Sequence, residues 1–246
     1  MEIIKSLQNQ KVKELSKLNQ KKYREREGKF LVCGEHLVEE AYKTGYLMEV
    51  IQTEDYVVTY DVLTTYVSYD VLKKISNLDA PQKIIGVCQK KQSNEIGNNV
   101  LLIDDLQDPG NLGTILRSSV AFNVDTVVLS NNCVDLYNDK VIRASEGMIF
   151  HINIIKRDLK DIILELHDKQ YVILGTKVDG GTNLDDITKA NKMAFIIGNE
   201  GAGVKQELLN ECDDYLYIPM NEECESLNVG VATGIILYTL FSKRDV

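Results

Sequence analysis

The chain has 246 residues, 44% hydrophobic and 26% charged, the proportions of a folded protein with one large or two ordinary domains rather than a disordered or fibrous one. No apolar run approaches the ~18 residues of a membrane span, the amino-terminal sequence lacks a signal peptide's apolar segment, and five cysteines without a CxxC pair suit a reducing compartment, so a cytoplasmic protein is expected. The net charge of −9 disfavours a nucleic-acid partner only as an average: residues 1–30 hold nine Lys/Arg against four Asp/Glu, a local +5, so an acidic body carries a basic arm.

Over residues 6–26 the apolar residues are sparse (Leu7, Val12, Leu15, Leu18, Tyr23) and stand among lysines and arginines, with no Gly or Pro before Gly28. That pattern predicts a solvated helical arm over 1–28 with one thin apolar stripe. Residues 29–90 alternate strands (30–33, 48–52, 67–68, 84–89) with helices (36–43, 69–75), a small α/β domain. Residues 91–99 are polar, end in Gly-Asn-Asn, and predict a linker. From 100 a second α/β series begins. VLLID (100–104) has the character of a buried parallel strand, followed by a helix at 111–122 and a strand at 126–129. Further strands are expected at 152–155, 171–174, 194–197 and 215–218, with helices between most of them. The last segment, 228–241, is apolar on nearly every face and predicts a helix buried in the core or in a subunit interface.

Three loops of the second domain are suited to chemistry. The first, DDLQDPGNLG (104–113), leaves a strand and enters a helix, where open α/β sheets bind ligands. Pro109 and Gly110 make its turn, and Asn111 suits the helix N-cap. Arg117 lies off the apolar stripe of Leu112, Ile115, Leu116 and Val120, and its side chain leans back toward the strand ends. The second loop, IGNEGAG (197–203), permits close backbone approach, yet its spacing is neither a dinucleotide fingerprint nor a Walker loop. Glu200 inside it would repel phosphate, so a neutral or cationic ligand is expected. The third, IPMNEECESLN (218–228), enters the last helix with Ser226 and Asn228 as candidate N-caps, and Gly230 and Gly234 allow something to pack closely. His36, His151 and His167 are scattered without metal-ligand spacing, so no metal is expected. Cys224 has no histidine nearby in sequence, and a structural thiol is expected there.

DPGNLGTILRSSVAFNVD, FIIGNEGAGV and IPMNEECESLNVGVATGIILY, in that order over about 130 residues, resemble the three motifs of the SpoU (TrmH-like) RNA ribose methyltransferases of the SPOUT superfamily. VIRASEGMIFHI (141–152) is similar to the stretch between the first two. KKYREREGKFLVCGEHLVEEA and APQKIIGVCQ resemble the L30e-like substrate-binding domain of many members. The resemblance implies an α/β-knot domain over 100–246, a trefoil-knotted parallel sheet, behind a smaller L30e-like α/β domain. It implies a homodimer that uses S-adenosylmethionine to methylate a ribose 2′-hydroxyl in structured RNA, rRNA ahead of tRNA, with no membrane and no metal involved. A non-catalytic RNA-binding or assembly factor on the same fold is the alternative from another class.

Carried over residue by residue, the resemblance implies main-chain cofactor contacts at Gly198, Ile218 and Leu227, with Asn199, Gly203 and Met220 in the same pocket. It makes Arg117 the catalytic candidate, with Asn111, Glu200, Ser226 and Asn228 shaping the loops. The reaction is an in-line displacement, in which the ribose oxygen's proton must be removed or its developing charge stabilised. A guanidinium holds its proton too firmly to be a good base, so Arg117 is expected to orient the ribose-phosphate and stabilise the alkoxide. Lys21, Lys22, Arg24 and Arg26 form the expected RNA-binding patch. Two departures from the motifs are Cys33, where relatives often carry glutamate, and Gly230 in place of a common serine.

Overall fold

The computed structural model describes residues 3–241 apart from Val57, Gln92 and Asp179. The expected arm's first two residues, one linker position and residues 242–246 of the expected methyltransferase domain lie outside the described residues. Two units divide the chain.

In the first, β1 (Ile3–Ile4), α1 (Gln10–Lys17), α2 (Lys21–Glu27), β2 (Lys29–Cys33), α3 (Glu35–Lys43), β3 (Leu47–Thr53), β4 (Leu63–Val67), α4 (Tyr69–Ser76) and β5 (Ile84–Gln89) build a five-stranded sheet ordered β1-β4-β3-β5-β2. β4 runs parallel to β1 and β3, and β5 runs antiparallel to β3 and β2. The arm is not a solvated helix. Val12, Leu15 and Leu18 are buried with Ile51, Val71, Leu72, Ile75 and Ile85, and each such side chain removed from water contributes about 1.5–3 kcal/mol. Nor is the arm continuous: it breaks between α1 and α2, where Asn19 Nδ2 donates to Ser16 O (3.0 Å) and Ile75 O (2.8 Å).

Past the linker come β6 (Asn99–Ile103), α5 (Pro109–Ala121) and β7 (Thr126–Leu129), then an excursion, Tyr137–His151, that clusters with the first unit. It holds α6 (Asp139–Ala144) and a 3-10 turn, Met148–Phe150. The Phe30 ring lies 4.5 Å from Tyr137 and 6.2 Å from Phe150, centroid to centroid. His151 Nε2 meets Glu40 Oε2 at 2.6 Å. Hydrogen bonds from Lys43 and then His151 hold the Glu40 carboxyl below its usual range. A single boundary at 91–99 therefore does not describe the first unit, which is discontinuous in sequence.

The chain resumes with β8 (Asn153–Lys156), α7 (Leu159–Asp168), β9 (Val172–Thr176), β10 (Thr182–Asn183), β11 (Met193–Ile197), α8 (Gln206–Leu209), β12 (Asp214–Tyr217) and α9 (Val229–Phe241). With β6 and β7 these strands form a seven-stranded, all-parallel sheet ordered β10-β12-β9-β11-β6-β7-β8. Every residue of β7 and β11 is buried, which is why β11 reads as an unbroken apolar run and β7 as one after Thr126. From β6 the chain first builds outward to β7 and β8, then crosses to the other side for β9, β11 and β12. That reversal is the topological switch point at which open α/β sheets hold ligands.

Candidate active site

The three loops all leave carboxyl ends of parallel strands: the first follows β6, the second β11 and the third β12. A cavity of about 460 Å³ lies there, lined by the second and third loops, by Thr176, Lys177 and Val178 at the end of β9, and by Thr233 and Ile236 on α9. Gly198, Asn199, Gly203, Ile218, Met220 and Leu227 all line it, as do Glu200 and Ser226. The β9 end carries no motif of its own. Only its place beside β11 and β12 brings it to the cavity.

The second loop is a closed turn. Asn199 N–H donates to Gly203 O (3.1 Å) and Gly203 N–H donates back to Asn199 O (2.9 Å). Asn199 Oδ1 accepts from Gly201 N at 2.9 Å. The closure needs glycine at both ends. A Cβ on Gly198 would stand 2.0 Å from the Gly203 carbonyl carbon, and Gly203 itself has φ +68°, where side chains are strained.

Asp108, not Asn111, caps α5: its Oδ1 accepts from Asn111 N at 2.7 Å, with Pro109 in the first turn. Proline at the first helical position puts the cap one residue earlier. Freed from capping, the Asn111 amide joins the three loops. Its Nδ2 donates to Glu200 Oε1 (3.1 Å), and its Oδ1 accepts from Asn228 Nδ2 (3.0 Å). Asn228 Oδ1 caps α9 by accepting from Gly230 N at 2.9 Å. Ser226 takes no such cap bond among the described residues, and of the two candidates Asn228 performs this role. The helices carrying the first and third loops touch closely: Gly230 and Gly234 face Thr114 and Ser118, and a Cβ on Gly230 would sit 3.4 Å from Thr114 Cγ2.

Arg117 is the outlier. It is exposed on α5, does not line the cavity, and has no hydrogen-bond or ion-pair partner among the described residues. Among the described residues no cluster of His, Cys, Asp or Glu could hold a metal ion. Burial pushes the Cys33 and Cys212 thiols up to about 12, which keeps them protonated and unreactive. Cys224 is exposed, with Sγ 3.4 Å from Ser226 O.

The first unit presents a basic surface that differs from the expected one. Arg24 is buried, and its Nη1 donates to Leu18 O at 2.8 Å, so it anchors α2 and is withdrawn from the patch. Lys21, Lys22 and Arg26 are exposed. Lys17 takes the vacated place, since Lys17, Lys22 and Arg26 lie 5.6, 6.0 and 5.0 Å from the Tyr23 ring centre.

Comparison with known proteins agrees with this geometry. Residues 98–238 match the SpoU rRNA Methylase family, and residues 9–86 match the MRM3-like substrate binding domain. The chain is 39% identical over 246 residues to the 23S rRNA (guanosine(2553)-2′-O)-methyltransferase RlmP of Bacillus subtilis, covering 98% of this chain and 99% of that protein. Among solved structures, an AdoMet-bound rRNA methyltransferase from Sinorhizobium meliloti superposes with a TM-score of 0.87 at 28% identity, over 97% of this chain and 96% of that one. An RNA 2′-O ribose methyltransferase superposes at 0.82 with 26% identity, over 97% of each chain. With both of its units matched, two motif loops lining one cavity and the first bonded to them through Asn111, the chain belongs to the SpoU family of RNA methyltransferases.

Proposed function

We propose that this SpoU enzyme, an S-adenosylmethionine-dependent RNA methyltransferase, transfers the methyl group to a ribose 2′-hydroxyl of ribosomal RNA. The observation that carries it is the convergence of the second and third loops on one 460 Å³ cavity, tied to the first loop through the Glu200–Asn111–Asn228 hydrogen bonds. The volume lies in the range of small-ligand sites. Its walls suit the cofactor: backbone edges of a glycine turn meet a flat neutral purine, and the Glu200 carboxylate tolerates a sulfonium cation. When bound, S-adenosylmethionine supplies an activated methyl group. The chain's own part is positioning: Asn111 sets the Glu200 carboxylate by donating to it, and Asn228 sets Asn111.

Arg117, exposed and unpaired among the described residues, is assigned to the RNA, where it orients the ribose-phosphate and stabilises the developing alkoxide. Lys17, Lys21, Lys22 and Arg26 are assigned to RNA phosphates. A second copy of the chain is assigned to α9, whose Val231, Ile235 and Tyr238 form an exposed apolar stripe 53%, 37% and 62% accessible on a helix with its opposite face buried. The trefoil passage belongs to the same reading, supported by the non-consecutive order β12-β9-β11-β6. Among the described residues no helix is long and apolar enough to cross a membrane, and a cytoplasmic location is proposed.

Calorimetry with S-adenosylmethionine, followed by mapping of 2′-O-methyl sites missing from the rRNA of a deletion strain, tests the assignment. The site to inspect first is the guanosine that RlmP methylates. Absence of cofactor binding would leave the non-catalytic RNA-binding factor. Arg117→Ala is expected to keep cofactor affinity and lose transfer, and wild-type transfer would remove Arg117 from the reaction.

A further inference from the structure

Outside the cavity, a charged cluster ties the second loop to the end of β6. The Asp104 carboxylate, whose side chain is 2% exposed, accepts from both ends of one residue: Lys205 N on Oδ2 (3.0 Å) and Lys205 Nζ on Oδ1 (3.0 Å). Lys205 Nζ also reaches Asp105 Oδ2 at 2.6 Å. Asp105 has a left-handed backbone, φ +52°, held by its neighbours. Its N–H donates to Ser130 Oγ (2.9 Å), its Oδ1 accepts from that hydroxyl (2.6 Å), and its carbonyl accepts from Asn199 Nδ2 (3.0 Å). None of Asp104, Asp105, Ser130 and Lys205 lines the cavity.

Besides the bonds of Asn199 and Glu200 within it, the turn at 198–203 has a support at each end. One is β11, held in the sheet. The other is Lys205, at the mouth of α8. A left-handed backbone at a non-glycine residue is strained and persists only when its surroundings over-determine it. Here they do, and the carbonyl so oriented is the one that Asn199, inside the turn, bonds.

We propose that Lys205, with Asp104 and Asp105, is a positioning clamp that sets cofactor affinity by holding the glycine turn in its binding shape, an inference that rests on the cofactor reading above. Removing the ammonium releases one support and leaves a buried carboxylate without its cation, while no residue that lines the cavity is altered. Binding is therefore weakened without damage to the chemistry.

The test measures dissociation constants of S-adenosylmethionine and of the neutral thioether S-adenosylhomocysteine for the full chain, wild type, Lys205→Met and Lys205→Arg, well below each melting midpoint. Lys205→Met is expected to weaken both ligands about tenfold and equally, because the turn meets the adenosine in each. Lys205→Arg is expected to restore both to within about threefold. With saturating cofactor, kcat of Lys205→Met is expected within about twofold of wild type, so the defect is confined to KM for the cofactor. Weakening of the sulfonium alone would overturn positioning in favour of a charge effect. Wild-type affinity in Lys205→Met, or an arginine no better than methionine, would overturn the clamp while wild-type binding upholds the cofactor reading. A wild type that binds neither ligand would overturn both.

Discussion

Gly198→Ala is the sharpest perturbation of the cavity, because the added carbon meets only backbone. It would stand 2.0 Å from Gly203 C, and 2.2 Å from both Gly203 O and Val204 N, where ordinary contact begins at 3.4 Å. No side chain can swing aside, so the turn must open by about 1.4 Å, enough to break the paired Asn199–Gly203 hydrogen bonds. Overpacking of this kind costs about 1–3 kcal/mol, which at about 1.4 kcal/mol per decade weakens cofactor binding by about 5- to 150-fold. If the cost falls on folding as well, the melting midpoint drops by about 2–4 °C per kcal/mol in a chain of this size. Calorimetric titration with S-adenosylmethionine beside thermal melts reads both. Gly201→Ala is the internal control for the turn's closure: its Cβ meets nothing nearer than Asn199 Oδ1 at 3.7 Å, and an unchanged melting midpoint is expected. Gly198→Ala binding as tightly as wild type would refute the reasoning.

The lowered Glu40 carboxyl gives a pH prediction. Its stabilisation is present above the ordinary value of 4.5 and is lost as pH falls through the lower folded-state value. Urea midpoints of wild type should exceed those of Glu40→Gln at pH 7 and converge with them in acid, and a gap that stays constant down to about pH 3 would contradict this. Reversing Lys17, Lys21, Lys22 and Arg26 together should weaken RNA binding and flatten the slope of log affinity against log salt by about one for each phosphate no longer neutralised; an unchanged slope would take these residues off the RNA. Arg24→Glu should instead cost a few kcal/mol of stability, about 5–10 °C in melting midpoint, and equal melts of that variant and wild type would return Arg24 to the surface. A fragment starting at residue 93 keeps the excursion but not its unit, so buried Val141, Ile142, Ile149 and Phe150 lose their cover. It should bind an apolar dye and aggregate, and a monodisperse fragment with one cooperative melt would show that the excursion does not need the first unit.

Buried parallel strands are the most legible part of the sequence, since burial on both faces writes an apolar run that survives without context. β7 and β11 are such cases, and β5, buried at all but its last residue though antiparallel, reads the same way. β4 is legible only at its end, because its residues before Val67 are exposed or half-buried and leave no run to read. The glycine turn and the polar positions around it are legible because their chemistry is local. What the sequence conceals depends on partners that only folding supplies. Arg24 sits in a stretch of charges like any surface residue, and only folding back on Leu18 O reveals it as an anchor. Asn111 has a capping side chain in a capping neighbourhood, yet the proline at 109 is the stronger signal and moves the helix start ahead of it. Asp104 and Lys205 are 101 residues apart, and no spacing rule joins them.

The contact of α5 with α9 through Gly230 and Gly234 has a mechanical consequence. Side chains between helices usually act as springs, since a leucine can change rotamer and absorb a shift. Here nearly bare backbone faces Thr114 and Ser118, so little soft material lies between the two helices. Asn111 and Asn228 stand near the amino-terminal ends of these same helices, and the 3.0 Å between them inherits that stiffness. The spacing of the first and third loops is thus set by the backs of the helices they enter, and a side chain larger than a methyl group added there would be felt at their front.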